Sequence, residues 1–248
     1  MLIARDMAFA LDPVAFAEAC GVTPDPWQAG LLTSCAPRAL LLCSRQSGKT
    51  TVTAIIALHC ALYQPGALVV VVSPSQRQSA EMLRTIKGLH MHLEGAPELR
   101  SESVLKVEFA NGSRILALPG SEKTVRGFAG AALVIIDEAS RVEDDLLAAV
   151  RPMLATRADG RLIALTTPAG KRGWFYEAWH GDGDWMRVRV AASDCPRISK
   201  EWLAEELKEL GAARFSEEYG LEFRDDDEAA FPVAVIEQAF TTEVQPLW

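Results

Sequence analysis

One pattern near the N-terminus constrains the fold of this chain most, because it predicts a strand, a tight loop and a helix in immediate succession. The apolar run at residues 39–42 leads into the heptapeptide SRQSGKT at 44–50, and a helix-compatible segment follows at 51–63. In such an arrangement, backbone N–H groups of the turn and of the helix N-terminus surround phosphate oxygens. The pattern predicts nucleotide binding; the alternative is an ordinary helix N-terminus with an incidental lysine and threonine.

Several side chains of this loop have the chemistry to hold a nucleotide. Lys49 can reach the β- and γ-phosphates, and the Thr50 hydroxyl can bind Mg²⁺. The loop departs from the G-x-x-x-x-G-K-[ST] pattern at its first position, which is Cys43, and it carries Arg45 as a second cation near the phosphates. We expect the nucleotide to be bound by Ser44, Arg45, Gln46, Ser47, Gly48, Lys49, Thr50 and Thr51.

Composition places the chain among ordinary globular proteins. Its 248 residues are 49% hydrophobic and 23% charged, enough for one α/β domain with a smaller appendage. The apolar runs are too short to cross a bilayer and the first residues lack a secretory signal, so we expect a cytosolic protein without a membrane partner. The five cysteines and four histidines have no metal-ligand spacing. A net charge of −8 argues against a general electrostatic grip on nucleic acid, so DNA contact requires a local patch or a surface built by several subunits.

The rest of the chain alternates between strand and helix patterns, which is typical of an α/β fold with a mainly parallel central sheet flanked by helices. Strands are predicted at 39–42, 67–73, 131–136, 161–165 and 186–190, with a hairpin of 104–109 and 114–118 around Asn111-Gly112. Helices are predicted at 12–20, 51–63, 75–93, 143–154, 174–179, 199–210 and 213–219. We expect residues 1–190 to form the core and residues 191–248 a small helical lid followed by a linker.

Candidate functional residues follow the predicted strands. Asp137 and Glu138 come directly after the strand at 131–136, and Thr167 follows the next strand along the chain. Ligands of open parallel sheets bind at the carboxyl ends of strands. Asp137 there can hold Mg²⁺ beside Thr50, and Glu138 can orient and deprotonate the attacking water. The alternative is an acidic strand end that faces solvent.

Five motifs in order carry a resemblance to a known family. SRQSGKT at 44–50, TVRGF at 124–128, VIIDEAS at 134–140, LTTPAG at 165–170 and FSEEYGLEF at 215–223 together resemble the large terminase subunit of tailed bacteriophages. The resemblance implies a P-loop ATPase of the additional-strand, RecA- or helicase-like type, with ATP and Mg²⁺ as cofactors. It also implies a motor that drives double-stranded DNA into a procapsid in the host bacterial cytoplasm. The implied partners are the portal protein, the small terminase subunit and further copies of the chain in a ring, usually a pentamer.

The same resemblance assigns roles to individual residues. Gln28 matches the glutamine that reads adenine, Asp137 and Glu138 match the Walker B pair, and residues 166–168 match the coupling motif. Arg126 matches the arginine that is proposed to reach the neighbouring subunit's site; without the resemblance we would read it as a surface ion pair. The family joins its ATPase to a nuclease domain that needs a cluster of acidic metal ligands, and we expect no nuclease activity in these 248 residues.

Two other functions fit part of the pattern. A DNA helicase or translocase of the DEAD-like type shares an upstream glutamine, the GKT triplet and DEA-like acids, but it needs a second motor domain. A nucleotide-dependent assembly switch would bind ATP and hydrolyse it negligibly. Glu138 argues against the switch, because a water-activating carboxylate has no purpose there.

Overall fold

The computed structural model describes residues 2–120, 125 and 127–224. Its helices are α1 (Leu2–Leu11), α2 (Pro13–Ala19), α3 (Pro26–Thr33), α4 (Lys49–Tyr63), α5 (Gln76–His92), α6 (Asp144–Leu154), α7 (Gly173–His180) and α8 (Lys200–Glu218). Its strands are β1 (Arg38–Cys43), β2 (Leu68–Ser73), β3 (Leu99–Glu102), β4 (Lys106–Phe109), β5 (Arg114–Pro119), β6 (Ala131–Asp137), β7 (Arg161–Thr166) and β8 (Met186–Val190).

The strands form one eight-stranded sheet in the order β3-β4-β5-β2-β6-β7-β1-β8. The six strands β5, β2, β6, β7, β1 and β8 are parallel to one another. The β3–β4 and β4–β5 pairs are antiparallel. The predicted mainly parallel sheet is therefore confirmed. Strand β7 lies between β6 and β1, so one additional strand separates the strand that precedes the phosphate loop from the strand that ends in Asp137.

Helices cover both faces of the sheet, because the central strands are apolar on both sides. Along β1, Leu41 and Cys43 belong to a core shared with α2, α3, α4 and α5. The alternate residues Leu40 and Leu42 belong to a second core shared with α6 and α7. The aromatic helix α7 contributes its fully buried Phe175 to this second core.

The hairpin predicted around Asn111-Gly112 joins β4 to β5, and Gly112 takes the positive φ of 83° that favours glycine. Three elements were not predicted: the short strand β3, and the helices α1 and α3. Three of the four β3 residues are exposed, so that strand lacks the apolar alternation by which a strand is found in sequence.

The C-terminal described segment folds back onto the core. Helix α8 is interrupted at Gly211, whose φ of 74° and ψ of 157° separate two helical stretches, as the sequence predicted. After the helix, the chain returns to the sheet edge, where the Ala192 amide donates to the Tyr219 carbonyl at 3.0 Å. No helix among the described residues is long and apolar enough to cross a membrane.

Candidate nucleotide-binding site

The loop between β1 and α4 has the backbone of an anion-binding nest. Gln46 and Gly48 take positive φ values of 57° and 88°, which alternate with right-handed or extended residues and turn successive N–H groups toward one centre. The Ser47 hydroxyl donates to the Ser44 carbonyl at 2.8 Å and closes the turn from inside. Lys49, the first residue of α4, is 8% exposed, which is low for a lysine. The loop is thus shaped for phosphate before any ligand is considered.

Cys43, which stands where the pattern has its first glycine, belongs to the sheet rather than to the loop. It is the last residue of β1, pairs with Val190 of β8 and is fully buried. Burial raises the pKa of its thiol to about 12, so the side chain is a neutral part of the core.

The strand ends place two acids beside the loop. Asp137 ends β6 and is 8% exposed, and one of its carboxylate oxygens accepts the Glu138 amide at 3.0 Å. Burial raises the pKa of the Asp137 carboxyl to about 6; the Glu138 carboxylate also raises it, while Lys49 lowers it. A buried carboxylate in this state is poorly compensated by protein groups, and a bound cation would compensate it.

Glu138 is held between two cations. Its Oε1 lies 3.7 Å from Lys49 Nζ, and its Oε2 lies 2.7 Å from Arg141 Nη1. Arg141 Nη1 also donates to Thr167 Oγ1 at 3.1 Å. The sequence predicted Glu138, Lys49 and Thr167 as site residues, and the structure brings all three into one network. Arg141 was not predicted, although its position three residues after Glu138 suits a one-turn contact.

The threonines that end β7 connect this network to the backbone. Thr166 and Thr167 are buried. The Thr166 hydroxyl donates to the Thr167 carbonyl at 2.7 Å and accepts the Ser140 amide at 3.3 Å. The loop after Glu138 is thus hydrogen-bonded to the end of β7.

Arg45 extends away from the phosphate loop toward α8. Its Nε lies 3.2 Å from Glu218 Oε2, and the other oxygen of that carboxylate accepts from Arg214 Nε at 3.2 Å. The residue before Glu218 in α8, Glu217, accepts a hydrogen bond from the Gly170 amide at 3.2 Å. Adjacent acids near the end of α8 thus contact the phosphate loop and the loop after β7. Both acids lie in the FSEEYGLEF motif, but the sequence did not identify their partners.

Gln28 lies on the outer side of the phosphate loop. It is 3% exposed; its Oε1 accepts the Asp25 amide at 2.8 Å, and its Nε2 donates to the Gly48 carbonyl at 3.2 Å. Reading of adenine by Gln28 stays a prediction.

A second unpredicted side chain reaches the same side of the loop. Arg197, between β8 and α8, donates from Nη1 to Asp25 Oδ1 at 2.7 Å and from Nη2 to the Ser47 carbonyl at 3.0 Å. Asp25 and Arg197 are 172 residues apart, so no local pattern links them.

The donor set at this edge fits Mg²⁺. Mg²⁺ is bound by hard oxygens, typically one or two protein groups with substrate phosphates and water completing the shell. The Asp137 carboxylate and the Thr50 hydroxyl are such groups. In the described part of the chain, no group of three or more His, Cys, Asp or Glu side chains could hold a metal ion by itself. A metal here would therefore arrive with the nucleotide.

The remaining predicted residues are less informative. Ser44 is buried, Gln46 is exposed and Thr51 is half-buried. Arg126 lies outside the described residues.

Comparisons with known proteins agree on one family. The family model described as terminase large subunit, T4-like-virus type, N-terminal, matches residues 40–238. The terminase large subunit of Thermus virus P23-45 is 26% identical over 254 positions, which cover 87% of this chain and 52% of the relative. The large terminase ATPase domain of Thermus phage P74-26 superposes with a TM-score of 0.72 at 24% identity, covering 84% of this chain and 97% of that domain. The ADP complex of the large terminase from phage D6E has a TM-score of 0.63 at 10% identity, covering 87% of this chain and 53% of that one.

Proposed function

This chain belongs to the family of terminase large subunits, and we propose that it is the ATP-hydrolysing motor domain of such a subunit. It spans between 37% and 52% of the length of the curated relatives that it matches. The proposed role is to couple ATP hydrolysis to the movement of double-stranded DNA into a procapsid.

The observation that carries this proposal is the convergence of a phosphate-binding nest with a lysine–glutamate pair. Lys49 Nζ lies 3.7 Å from Glu138 Oε1 at the edge where β1, β6 and β7 all end. A lysine that can bind the phosphates and a carboxylate that can orient water are thus close neighbours. A protein that only binds ATP needs the lysine but not the carboxylate. The ADP-bound state of the D6E terminase, whose fold this chain shares, supports a nucleotide as the ligand.

Each group has a defined task in hydrolysis. The N–H groups of the loop and the Lys49 ammonium bind the phosphates. Thr50 and Asp137 would hold Mg²⁺, whose positive charge would neutralise the phosphate oxygens. Glu138 orients the attacking water and takes its proton.

The ion pairs of Glu138 favour a resting state over an active one. A carboxylate whose two oxygens are paired with Lys49 and Arg141 is not free to orient a water molecule. An incoming γ-phosphate competes with Glu138 for Lys49. Binding of ATP would thereby release one side of the carboxylate and leave Arg141 as the remaining restraint.

Assembly and DNA contact belong to the same proposal. We infer that several copies form a ring on the portal protein, with the small terminase subunit as a further partner, and that Arg126 acts on the neighbouring copy's nucleotide. The net charge of −8 requires that DNA be contacted by local basic surface in the assembled ring.

Two variants test hydrolysis. Lys49→Ala removes the phosphate-binding cation, so both tight ATP binding and turnover should be lost. Glu138→Gln keeps the shape and removes the proton acceptor, so ATP should still bind while turnover falls by at least about 10²-fold. Calorimetric ATP affinity and phosphate release measure the two quantities separately.

The outcomes separate the proposal from its rivals. Equal loss of ATP affinity in both variants would contradict the division of roles. Tight ATP binding with no turnover by the wild-type chain, at any protein concentration, would favour the nucleotide-dependent switch.

A further inference from the structure

The outer side of the phosphate loop is clamped at two consecutive carbonyl groups. The Ser47 carbonyl accepts from Arg197 Nη2 at 3.0 Å, and the Gly48 carbonyl accepts from Gln28 Nε2 at 3.2 Å. The Gly48 carbonyl also accepts the Val52 amide at 3.1 Å, as the first carbonyl of α4. Both clamping side chains are themselves fixed by Asp25. Its carboxylate binds Arg197 at 2.7 Å, and its amide donates to Gln28 at 2.8 Å.

Because of peptide geometry, the direction of these two carbonyl groups determines the direction of the N–H groups on the inner side of the loop. A trans peptide is planar, and its C=O and N–H groups point in opposite directions. The Ser47 carbonyl shares a peptide with the Gly48 N–H, and the Gly48 carbonyl shares a peptide with the Lys49 N–H. Holding both carbonyls outward therefore directs both N–H groups inward, toward the centre where phosphate binds.

The clamp lies tightly against the loop at Gly48. A Cβ atom there would lie 2.6 Å from Gln28 Nε2 and 3.1 Å from Arg197 Nη2. Both distances are shorter than ordinary van der Waals contact. A side chain at position 48 would therefore displace Gln28 and Arg197 from the loop, and glycine also suits the positive φ of 88°.

We propose that Arg197 is a positioning residue for phosphate recognition: its guanidinium, fixed by Asp25, holds the Ser47–Gly48 peptide so that the Gly48 N–H faces the nucleotide phosphates. This inference rests on the proposed nucleotide binding. A guanidinium suits the task because its planar fork donates to two acceptors in fixed directions, whereas an ammonium is a point charge. The Asp25 side chain is only 11% exposed, so the carboxylate that fixes the fork is itself largely buried.

The position of Arg197 in the chain extends its role. It lies three residues before α8, and the far end of α8 carries Glu218, which pairs with Arg45 at 3.2 Å. The segment 197–218 therefore contacts the phosphate loop at both of its ends. A displacement of α8 would loosen the clamp on Ser47 and the restraint on Arg45 together.

The experiment compares ADP affinity across matched variants of the full chain, measured by calorimetry with Mg²⁺. Arg197→Gln removes the fork, and we expect the ADP Kd to rise roughly five- to tenfold, the effect of about one lost hydrogen bond to phosphate. Arg197→Lys keeps the charge but not the planar fork, so it should raise the ADP Kd by a similar factor. Lys200→Gln removes an equal charge from an exposed site three residues away and should leave the Kd unchanged.

Kinetics separate positioning from catalysis and from general structural support. Phosphate contacts made equally before and during the reaction change KM and leave kcat alone. Arg197→Gln should therefore raise the KM for ATP by about the same factor as the Kd for ADP. Its kcat should stay within about twofold of wild type. A structural role would instead lower the fraction of active protein, and kcat would fall at an unchanged KM.

Each result decides something. Wild-type ADP affinity in Arg197→Gln, or full recovery in Arg197→Lys, overturns the inference while leaving the proposed function intact. Failure of the wild type to bind ADP overturns the proposed function instead. Should Arg197→Gln not fold, the double variant Asp25→Asn/Arg197→Gln leaves no unpaired carboxylate, and the same loss of ADP affinity is expected from it.

Discussion

At the scale of single residues, the site holds a carboxylate that the fold alone does not favour. Asp137 is 8% exposed, and desolvation raises the pKa of its carboxyl from 3.8 to about 6. Ionising this carboxyl costs more free energy in the folded state than in the unfolded chain, so the ionised group lowers the stability of the fold. The residue is explained by what it can bind rather than by what it stabilises.

The cost of Asp137 gives a pH-dependent prediction. Below pH 3.8 the carboxyl is protonated in both states, so its raised pKa has no effect on stability. The cost grows between pH 3.8 and about 6 and is complete above that range. Asp137→Asn should therefore raise the free energy of unfolding by on the order of 2 kcal/mol near pH 8, with the gain shrinking toward zero near pH 4.

Denaturant unfolding in the presence of a chelator measures this effect without interference from metal. Glu209→Gln, a change at an exposed carboxylate on α8, is the control and should alter stability little at either pH. A gain that is equal at both pH values would contradict the assignment to a buried ionised carboxylate.

At the scale of elements, α8 restrains the phosphate loop through the Arg45–Glu218 pair. The Arg45 side chain is 53% exposed, so this pair is partly screened by solvent and contributes modestly to stability. Its effect on nucleotide binding is a different matter, because the contact of Nε with Glu218 restricts the direction in which the guanidinium can point. Glu218 also holds Arg214, so freeing Arg45 does not leave the carboxylate unpaired.

Changes on either side of this pair should have opposite effects. Arg45→Ala should lower turnover by more than it lowers ATP affinity, since a guanidinium near the γ-phosphate acts mainly on transition-state charge. Glu218→Gln releases Arg45 and should tighten ATP binding by up to roughly fivefold, the magnitude of a weak ion pair. Parallel ATP titrations and turnover measurements test both.

The double variant completes that test. In Arg45→Ala/Glu218→Gln, the second change has no arginine to release, so its effect on ATP affinity should vanish. Wild-type turnover in Arg45→Ala would contradict the role of Arg45. A Glu218→Gln effect that persists without Arg45 would contradict the link between them.

At the scale of the whole molecule, the proposed activity depends on contacts between copies. The chain spans about half or less of its curated relatives and carries a net charge of −8. Arg126, which lies outside the described residues, is proposed to act on the nucleotide of a neighbouring copy.

Mixing two inactive proteins tests Arg126. An arginine supplied from a neighbour can contribute on the order of 10³-fold to turnover with little effect on ground-state binding. Wild-type turnover per chain should therefore rise with protein concentration. Arg126→Ala and Glu138→Gln should each be inactive, but in mixed assemblies some interfaces pair an intact Glu138 site with an intact Arg126, so activity should partly return. If mixing restores nothing while size analysis detects co-assembly, Arg126 acts within its own chain or is structural.

The sequence by itself determined the sheet, the phosphate loop and the order of the site. The runs at 39–42, 67–73, 131–136 and 161–165 could be recognised because strands covered on both faces are continuously apolar. Parallel strands end at one edge, so Lys49, Asp137 and Thr167 had to converge. The same reasoning missed β3, because an exposed edge strand has no apolar pattern.

Only the tertiary structure decided how these groups are held. The contacts of Arg197 with Asp25 and Ser47, and of Glu218 with Arg45, join segments 150 to 173 residues apart in sequence. A long polar side chain on the surface of a predicted helix or loop has many possible partners, and periodicity does not select among them. Partner choice depends on where the chain returns after β8 and on the distance and direction of each acceptor. Local sequence therefore specifies which residues can bind phosphate, while the returning chain fixes the orientation in which they do so.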